Sequence, residues 1–240
     1  MIALIRPDWH LDGVQAVSTT RQGGVSQADW ASLNVGLRCG DDPAAVAENR
    51  RRVESLVSGP PHWLEQVHGT RVIHLDQWRP GIEADAAWTD RRGQVLAIQT
   101  ADCLPLLLAD RRARLVAAAH AGWRGLRAGI VPRLVGSLPL AAGELVAWIG
   151  PGIAQAAFEV GPEVRTAFLA SGGEFAMHFV PGRGDRWLAD LKAIATIQLK
   201  ASGVGAVLDC GLCTYTAPER FFSYRRDRVC GRMVSMIWLV

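Results

Sequence analysis

The chain has 240 residues, 49% of them hydrophobic and 20% charged, with 26 Lys and Arg against 23 Asp and Glu for a formal net charge of +3. That much apolar material with so little charge per residue excludes intrinsic disorder and predicts a buried core. The near balance of signs argues against an Arg-rich RNA-binding module, and no linker, repeat or low-complexity tract divides the chain, so one domain over 1–240 is expected.

In chain order, the apolar N-terminal run ends at Arg6-Pro7-Asp8, before a signal-peptide core could form. No apolar stretch approaches the ~18 residues of a membrane span, so a cytoplasmic protein with no membrane contact is expected. A strand is predicted over 14–18. A helix follows that opens at Asp42-Pro43, where Asp can cap and Pro can occupy the first turn, and runs to about Val57. Apolar runs at 72–75, 95–99, 104–108 and 115–119 read as strands, several of them buried on both faces. A helix is expected after Gly125, a strand over 145–149, a helix at Gly161-Pro162, and another from near Trp187 to before Ser202-Gly203. Strands at 206–208 and 233–239 close the chain. Consecutive central strands flanked by helices point to an α/β layered sandwich with a mixed sheet, not a regular βαβ repeat.

Chemistry concentrates at three strand-edge turns. His68 stands in Gln66-Val67-His68-Gly69, Cys103 in Ala101-Asp102-Cys103-Leu104-Pro105, and His120 before Ala121-Gly122-Trp123-Arg124-Gly125. Two imidazoles and one thiolate form a set suited to Zn²⁺ that leaves a fourth position for water or substrate. A Cys–His nucleophile pair is the rival reading, and a small buried hydrophobe is the plain reading of Cys103. His10, His62, His74 and His178 read as packed or surface histidines.

Five cysteines are too few and too oddly numbered for a disulfide framework. Cys210-Gly211-Leu212-Cys213 leads into a loop, where a redox motif would lead into a helix. Of the 26 basic residues only Lys192 and Lys200 are lysines, which leaves arginine for any phosphate contact. Neither Gly-x-Gly-x-x-Gly after a strand nor a Walker-type Gly-Lys-Ser/Thr occurs, so those nucleotide cofactors are not indicated.

Ala101-Asp102-Cys103-Leu104-Pro105, residues 117–126 (AAAHAGWRGL), Gln66-Val67-His68-Gly69 and residues 221–227 (FFSYRRD) resemble the signature segments of the YfiH, or laccase-domain, family. Thr20-Arg21-Gln22-Gly23-Gly24-Val25-Ser26, Ser32-Leu33-Asn34-Val35-Gly36, Gly40-Asp41-Asp42-Pro43 with Asn49-Arg50, and Phe158-Glu159-Val160-Gly161 extend the resemblance from about Arg21 to the C-terminus. Of the C-x-x-C, only Cys213 matches a family position.

The resemblance implies a single layered α/β sandwich similar to the catalytic domain of the cytotoxic necrotizing factor toxins. It implies a zinc-dependent purine nucleoside phosphorylase, converting adenosine, inosine or methylthioadenosine to free base and ribose 1-phosphate, that also deaminates adenosine. The metal ligands, with the chemistry of the reaction, fall on His68, Cys103 and His120. Asn34 and Arg50, then Arg124 and Arg21, are the expected phosphate or ribose contacts. The purine must be protonated as it leaves, and Asp102 and Glu65 lie near the ligands in sequence. Alternatives are a copper-dependent polyphenol oxidase, for which six histidines are few, and an amidase that edits peptidoglycan precursors.

Overall fold

The computed structural model describes residues 2–240. Its strands are β1 (Leu4–Ile5), β2 (Val14–Thr19), β3 (Pro61–Trp63), β4 (Val72–His74), β5 (Ala86–Thr89), β6 (Val95–Thr100), β7 (Leu104–Asp110), β8 (Val116–Ala121), β9 (Leu145–Ile149), β10 (Glu159–Val160), β11 (Phe179–Pro181), β12 (Trp187–Ala189), β13 (Ala206–Asp209) and β14 (Met233–Leu239). The helices are α1 (Pro43–Glu54), α2 (Trp123–Arg127), α3 (Ile130–Ser137), α4 (Pro162–Leu169), α5 (Leu191–Ala201) and α6 (Tyr224–Asp227).

Two mixed sheets dominate, one in the order β1-β2-β14-β6-β3 and one in the order β13-β9-β7-β8-β5-β4, with a small β10-β12-β11 sheet beside them. The pairs β3–β6, β4–β5 and β9–β13 are parallel, and the other pairs are antiparallel.

Side-chain alternation assigns the layers. Along β7, Leu104, Leu106 and Leu108 join one core with Leu126, Ile130, Leu134, Ile194 and Leu199 of the helices. Leu107 and Ala109 face the other way, into a core shared with Val14, Ala16, Leu96, Ile98 and Ile237 of the first sheet. The outer face of that sheet, with Val17, Val95, Val234 and Met236, packs on Val53 of α1 and on Leu33 and Val35. The order is therefore helix, sheet, sheet, helices. β7 is buried along its whole length, and truncating one of its leucines to Ala would cost about 2–5 kcal/mol.

All eight expected strands form, each within a few residues of its expected bounds. Asp42 caps α1 by accepting from the Ala44 N–H at 2.9 Å, and the helix stops at Glu54, short of Val57. The helix expected after Gly125 is two helices. α2 starts before that glycine, and Gly129, with φ +86°, breaks the run before α3. Trp187 lies in β12, between β10 and β11, and α5 starts only at Leu191, where Asp190 accepts from the Ala193 N–H at 2.9 Å. β1, β3, β10, β11 and β12 are two or three residues long, too short to show an alternation. Among the described residues no helix is long and apolar enough to cross a membrane.

Candidate functional site

His120 is the penultimate residue of β8, in register with Pro105 of β7 and 4% exposed. Asp85, fully buried, lies immediately before β5, the other neighbour of β8. Its carbonyl accepts the His120 main-chain N–H at 2.7 Å, and its Oδ1 accepts the His120 Nδ1–H at 2.8 Å. That bond places a proton on Nδ1, so Nε2 is the nitrogen the ring can offer to a metal once its own proton has left.

The same carboxylate accepts the main-chain N–H groups of Val67, His68 and Gly69 at 3.2, 3.0 and 2.6 Å. It thereby holds the turn in which His68 adopts a left-handed φ of +60°. One buried carboxylate positions both histidines.

Cys103 lies in the short link between β6 and β7, with its Sγ 3.9 Å from His68 Nε2. The two imidazole rings meet edge to face at 4.7 Å. The ligand atoms of His68, Cys103 and His120 all lie within 4.8 Å of one another. Gly122 makes room for this: a Cβ there would stand 2.8 Å from Cys103 Sγ and 3.2 Å from His68 Cδ2. The glycine of the Ala-Gly-Trp-Arg-Gly segment is thus a requirement of close packing at the site.

Burial opposes ionisation of Cys103, but the charge and hydrogen bonds of His120 and His68 outweigh it and bring the thiol down to about 6. Burial likewise opposes protonation of His120, and the facing thiolate and Asp85 outweigh it, raising the imidazole to about 9. Burial works against the Asp85 carboxylate too, and its bonds to His120 and the turn hold it below its ordinary value. A readily ionised thiol beside two imidazoles fits a borderline-soft ion, and both zinc and copper accept such donors. His68, Cys103 and His120 are the residues that could hold it.

The cluster opens on a cleft of about 820 Å³. Of the arginines expected there, Arg50 and Arg124 line it. The Arg50 guanidinium lies 4.1 Å over the Trp63 ring, with Nε–H donating to the Val35 carbonyl at 2.9 Å. Burial lowers Arg50 to about 10, against the pull of Glu65. Arg124 stacks 4.6 Å over Trp123. Arg38 and Arg232 also line the cleft, Arg38 paired with Glu65 at 2.7 Å.

Asn34 and Arg21 lie outside the cleft lining, and their polar atoms are committed to the fold. Asn34 is fully buried; its amide donates to Asp41 at 2.9 Å, and its carbonyl oxygen accepts from the Gly36 and Arg232 N–H groups, each at 2.8 Å. Arg21 donates to the carbonyls of Ala31 and Pro218 at 2.7 and 3.1 Å and lies 4.5 Å over Phe222. The motifs around these two residues interlock through Asn49, which accepts the Val25 N–H and donates to Ser26, Ser32 and Asn34. Gly24 fits because a Cβ there would stand 2.1 Å from the Ser32 carbonyl.

Glu65 lines the cleft, whereas Asp102 is turned away and bonded elsewhere. Cys210 and Cys213 lie in a loop, with Gly211 at φ +70°; Cys213 Sγ accepts the Ala154 N–H at 3.4 Å, and both thiols are free. His62 packs edge-on to Trp78, while His74 meets Asp76 and Asp90 at 3.5 and 3.4 Å, acidic neighbours that the sequence reading overlooked. That reading also passed over Asp85, Trp63, Gln99 and Arg232. For Asp85 a signal exists, an acid between alanines at the mouth of an apolar run.

The family model described as multi-copper polyphenol oxidoreductase laccase matches residues 15–240. The chain belongs to this family. A Pseudomonas aeruginosa relative named purine nucleoside phosphorylase is 48% identical, with the match covering 100% of this chain and 99% of the relative. The Escherichia coli K12 protein named purine nucleoside phosphorylase YfiH is 46% identical, with full coverage of both chains. Among solved structures, Neisseria meningitidis NMB0706 superposes with a TM-score of 0.96 at 42% identity, over 98% of each chain. YlmD of Geobacillus stearothermophilus does so with a TM-score of 0.93 at 31% identity, over 98% of this chain and 96% of that one.

Proposed function

We propose that the protein is a zinc-dependent purine nucleoside phosphorylase that converts adenosine or inosine to the free base and ribose 1-phosphate, with adenosine deamination in the same cleft. The observation that carries this reading is the His68/Cys103/His120 cluster at one wall of a cleft whose other lining residues include Arg38, Arg50, Arg124 and Arg232. The phosphorylase names of relatives covering the whole chain support it.

In phosphorolysis a phosphate oxygen forms a bond to the ribose C1′ as the bond from C1′ to the purine nitrogen breaks, and the departing base takes up a proton. Guanidinium groups suit the anionic nucleophile because they offer paired N–H donors to its oxygens. Arg124 and Arg50 are the proposed phosphate contacts. Stacking on Trp123 and Trp63 fixes each guanidinium and limits the entropy lost when phosphate binds. A zinc ion held by His68, Cys103 and His120 would supply Lewis acidity toward a substrate atom or water. Asp85 keeps His120 in the tautomer that leaves Nε2 free and holds His68 in its turn.

The test is to incubate purified protein with inosine or adenosine, with and without phosphate, and to separate bases from nucleosides. Hypoxanthine or adenine appearing with ribose 1-phosphate only when phosphate is present supports the reading. Base release independent of phosphate, or unchanged in Cys103→Ala, overturns it.

Copper-dependent phenol oxidation is a second reading, favoured by the family description and by the thiolate–imidazole donors. A multicopper enzyme needs several clusters of ligands, and among the described residues His68, Cys103 and His120 form one. Phenol oxidation that tracks copper content would favour this reading over phosphorolysis.

A further inference from the structure

Asp102 precedes Cys103 and is 7% exposed, yet its carboxylate does not line the cleft. Its Oδ1 accepts the Thr214 hydroxyl at 2.7 Å, and its Oδ2 accepts the main-chain N–H of Arg225 at 2.6 Å. Its carbonyl accepts the Ile153 N–H at 2.9 Å. Three segments distant in sequence thus close on one residue whose φ is +88°, a left-handed conformation that a side chain disfavours.

This conformation turns the chain sharply between β6 and β7 and so determines where the next residue points. The next residue is Cys103, whose Sγ must approach both histidines across the space left by Gly122. Arg225 belongs to α6, which brings Tyr224 to the cleft; its guanidinium donates to the Glu159 carbonyl and lies 5.0 Å over Phe158. Thr214 is anchored in turn, its N–H donating to the Gly152 carbonyl at 3.1 Å.

We propose that Asp102 is the positioning residue for Cys103, its carboxylate pinning the left-handed backbone that aims the thiol at His68 and His120. In this it is the counterpart of Asp85: one buried carboxylate holds the His120 ring and the His68 turn, and another holds the turn that carries the thiol. Partners that orient metal ligands typically contribute 10–100-fold in affinity. The inference rests on reading the three residues as a metal site and does not depend on which reaction the site performs.

Cobalt(II) titrated into metal-free protein tests it, because a thiolate ligand gives a near-ultraviolet charge-transfer band that imidazoles alone do not. Wild type is expected to bind one equivalent with that band, and Asp102→Asn to bind roughly tenfold or more weakly, with the band diminished relative to the visible d–d absorption. Asp102→Gly separates the two parts of the argument, since it relieves the left-handed strain while removing the carboxylate; it is expected to behave like Asp102→Asn. Thr214→Val, which removes one clamp partner and leaves residue 102 intact, is expected to weaken cobalt binding in the same sense, and Thr214→Ser to restore it. This pair decides the matter if the Asp102 variants do not fold. Wild-type affinity and band intensity in a folded Asp102→Gly, or in Thr214→Val, overturn the role of Asp102. A wild type that binds cobalt without the charge-transfer band overturns Cys103 as a ligand, and with it the inference, whatever the variants do.

Discussion

The two walls of the cleft are built on different principles. On the histidine wall, His120 is buried within β8 and the carboxylate that holds it is fully buried; on the arginine wall, Arg38 of a loop and Arg124 of α2 are exposed guanidiniums with few fixed partners. A metal-ligand set would have to hold its donors to within a fraction of an ångström, and Asp85 ties down the His120 ring and the main chain at His68. An anion-binding arginine must exchange its partners with substrate at every turnover, and donors already saturated by the fold could not do so. Arg21 and Arg226 show the alternative: between them their guanidiniums donate to four carbonyls of the 214–221 segment, and Arg226 also pairs with Asp227.

The sharpest way to break the contrast is on the histidine wall. Cys103→Ala is expected to lower metal content to background and phosphorolysis by roughly 100-fold or more, read by metal analysis and base release. Asp85→Asn keeps the ligands but removes a charged acceptor from both histidine contacts; metal affinity measured by chelator competition is expected to fall about 10–100-fold. On the arginine wall, Arg124→Ala should leave metal content unchanged and raise the KM for phosphate roughly tenfold, the worth of one charge-assisted contact of about 1.5 kcal/mol. Arg21→Ala should do the reverse: an unfolding free energy lower by about 1–3 kcal/mol in denaturant, from carbonyls that lose their donor, with little change in the KM for phosphate. If Arg21→Ala instead raises that KM without loss of stability, the division of arginines fails.

The smallest effect is expected far from the cleft. The hydrogen bond from Arg114 holds the buried Asp110 carboxyl below its ordinary value. A carboxyl whose folded pKa is depressed adds stability above the unfolded value near 4, and that stability is lost as pH falls through the lower, folded value. Asp110→Asn should therefore be less stable than wild type at pH 7, with a gap that narrows on acidification below about 4 and no effect on phosphorolysis at neutral pH. Thermal unfolding at several pH values measures it.

Several of the eight apolar runs were legible as strands because a strand buried on both faces leaves a continuous apolar signature, and β7 shows it along its whole length, whereas β13 is only half-buried. The caps of α1 and α4 were legible for a local reason: Asp42-Pro43 and Gly161-Pro162 act on their own backbone. The short strands β10, β11 and β12 were not, and Trp187 was assigned to a helix. Two or three residues show no period, and their strand character comes from partners up to about thirty residues away.

At the site, His68, Cys103 and His120 could be named as ligand-competent groups at strand-edge turns, and the resemblance joined them. That their donor atoms converge within 4.8 Å is a product of the fold, because residues separated by 35 and 17 positions meet only when β5, β8 and β7 pair in register. Asn34 and Arg21 show the limit from the other side. Their motifs mark positions the fold depends on, and a motif does not say whether a polar side chain faces substrate or backbone.

By itself the sequence determined the layered α/β class, the N-termini of α1 and α4, and the residue types able to hold a soft metal, since these depend on local periodicity and on side-chain chemistry. Tertiary structure alone decided which arginines keep free donors, that Asp85 serves both histidines, and that Asp102 faces away from the cleft to pin the cysteine turn. A hydrogen bond between residues 112 positions apart, that of Asp102 with Thr214, depends on where two backbones come to rest, and no local pattern encodes it.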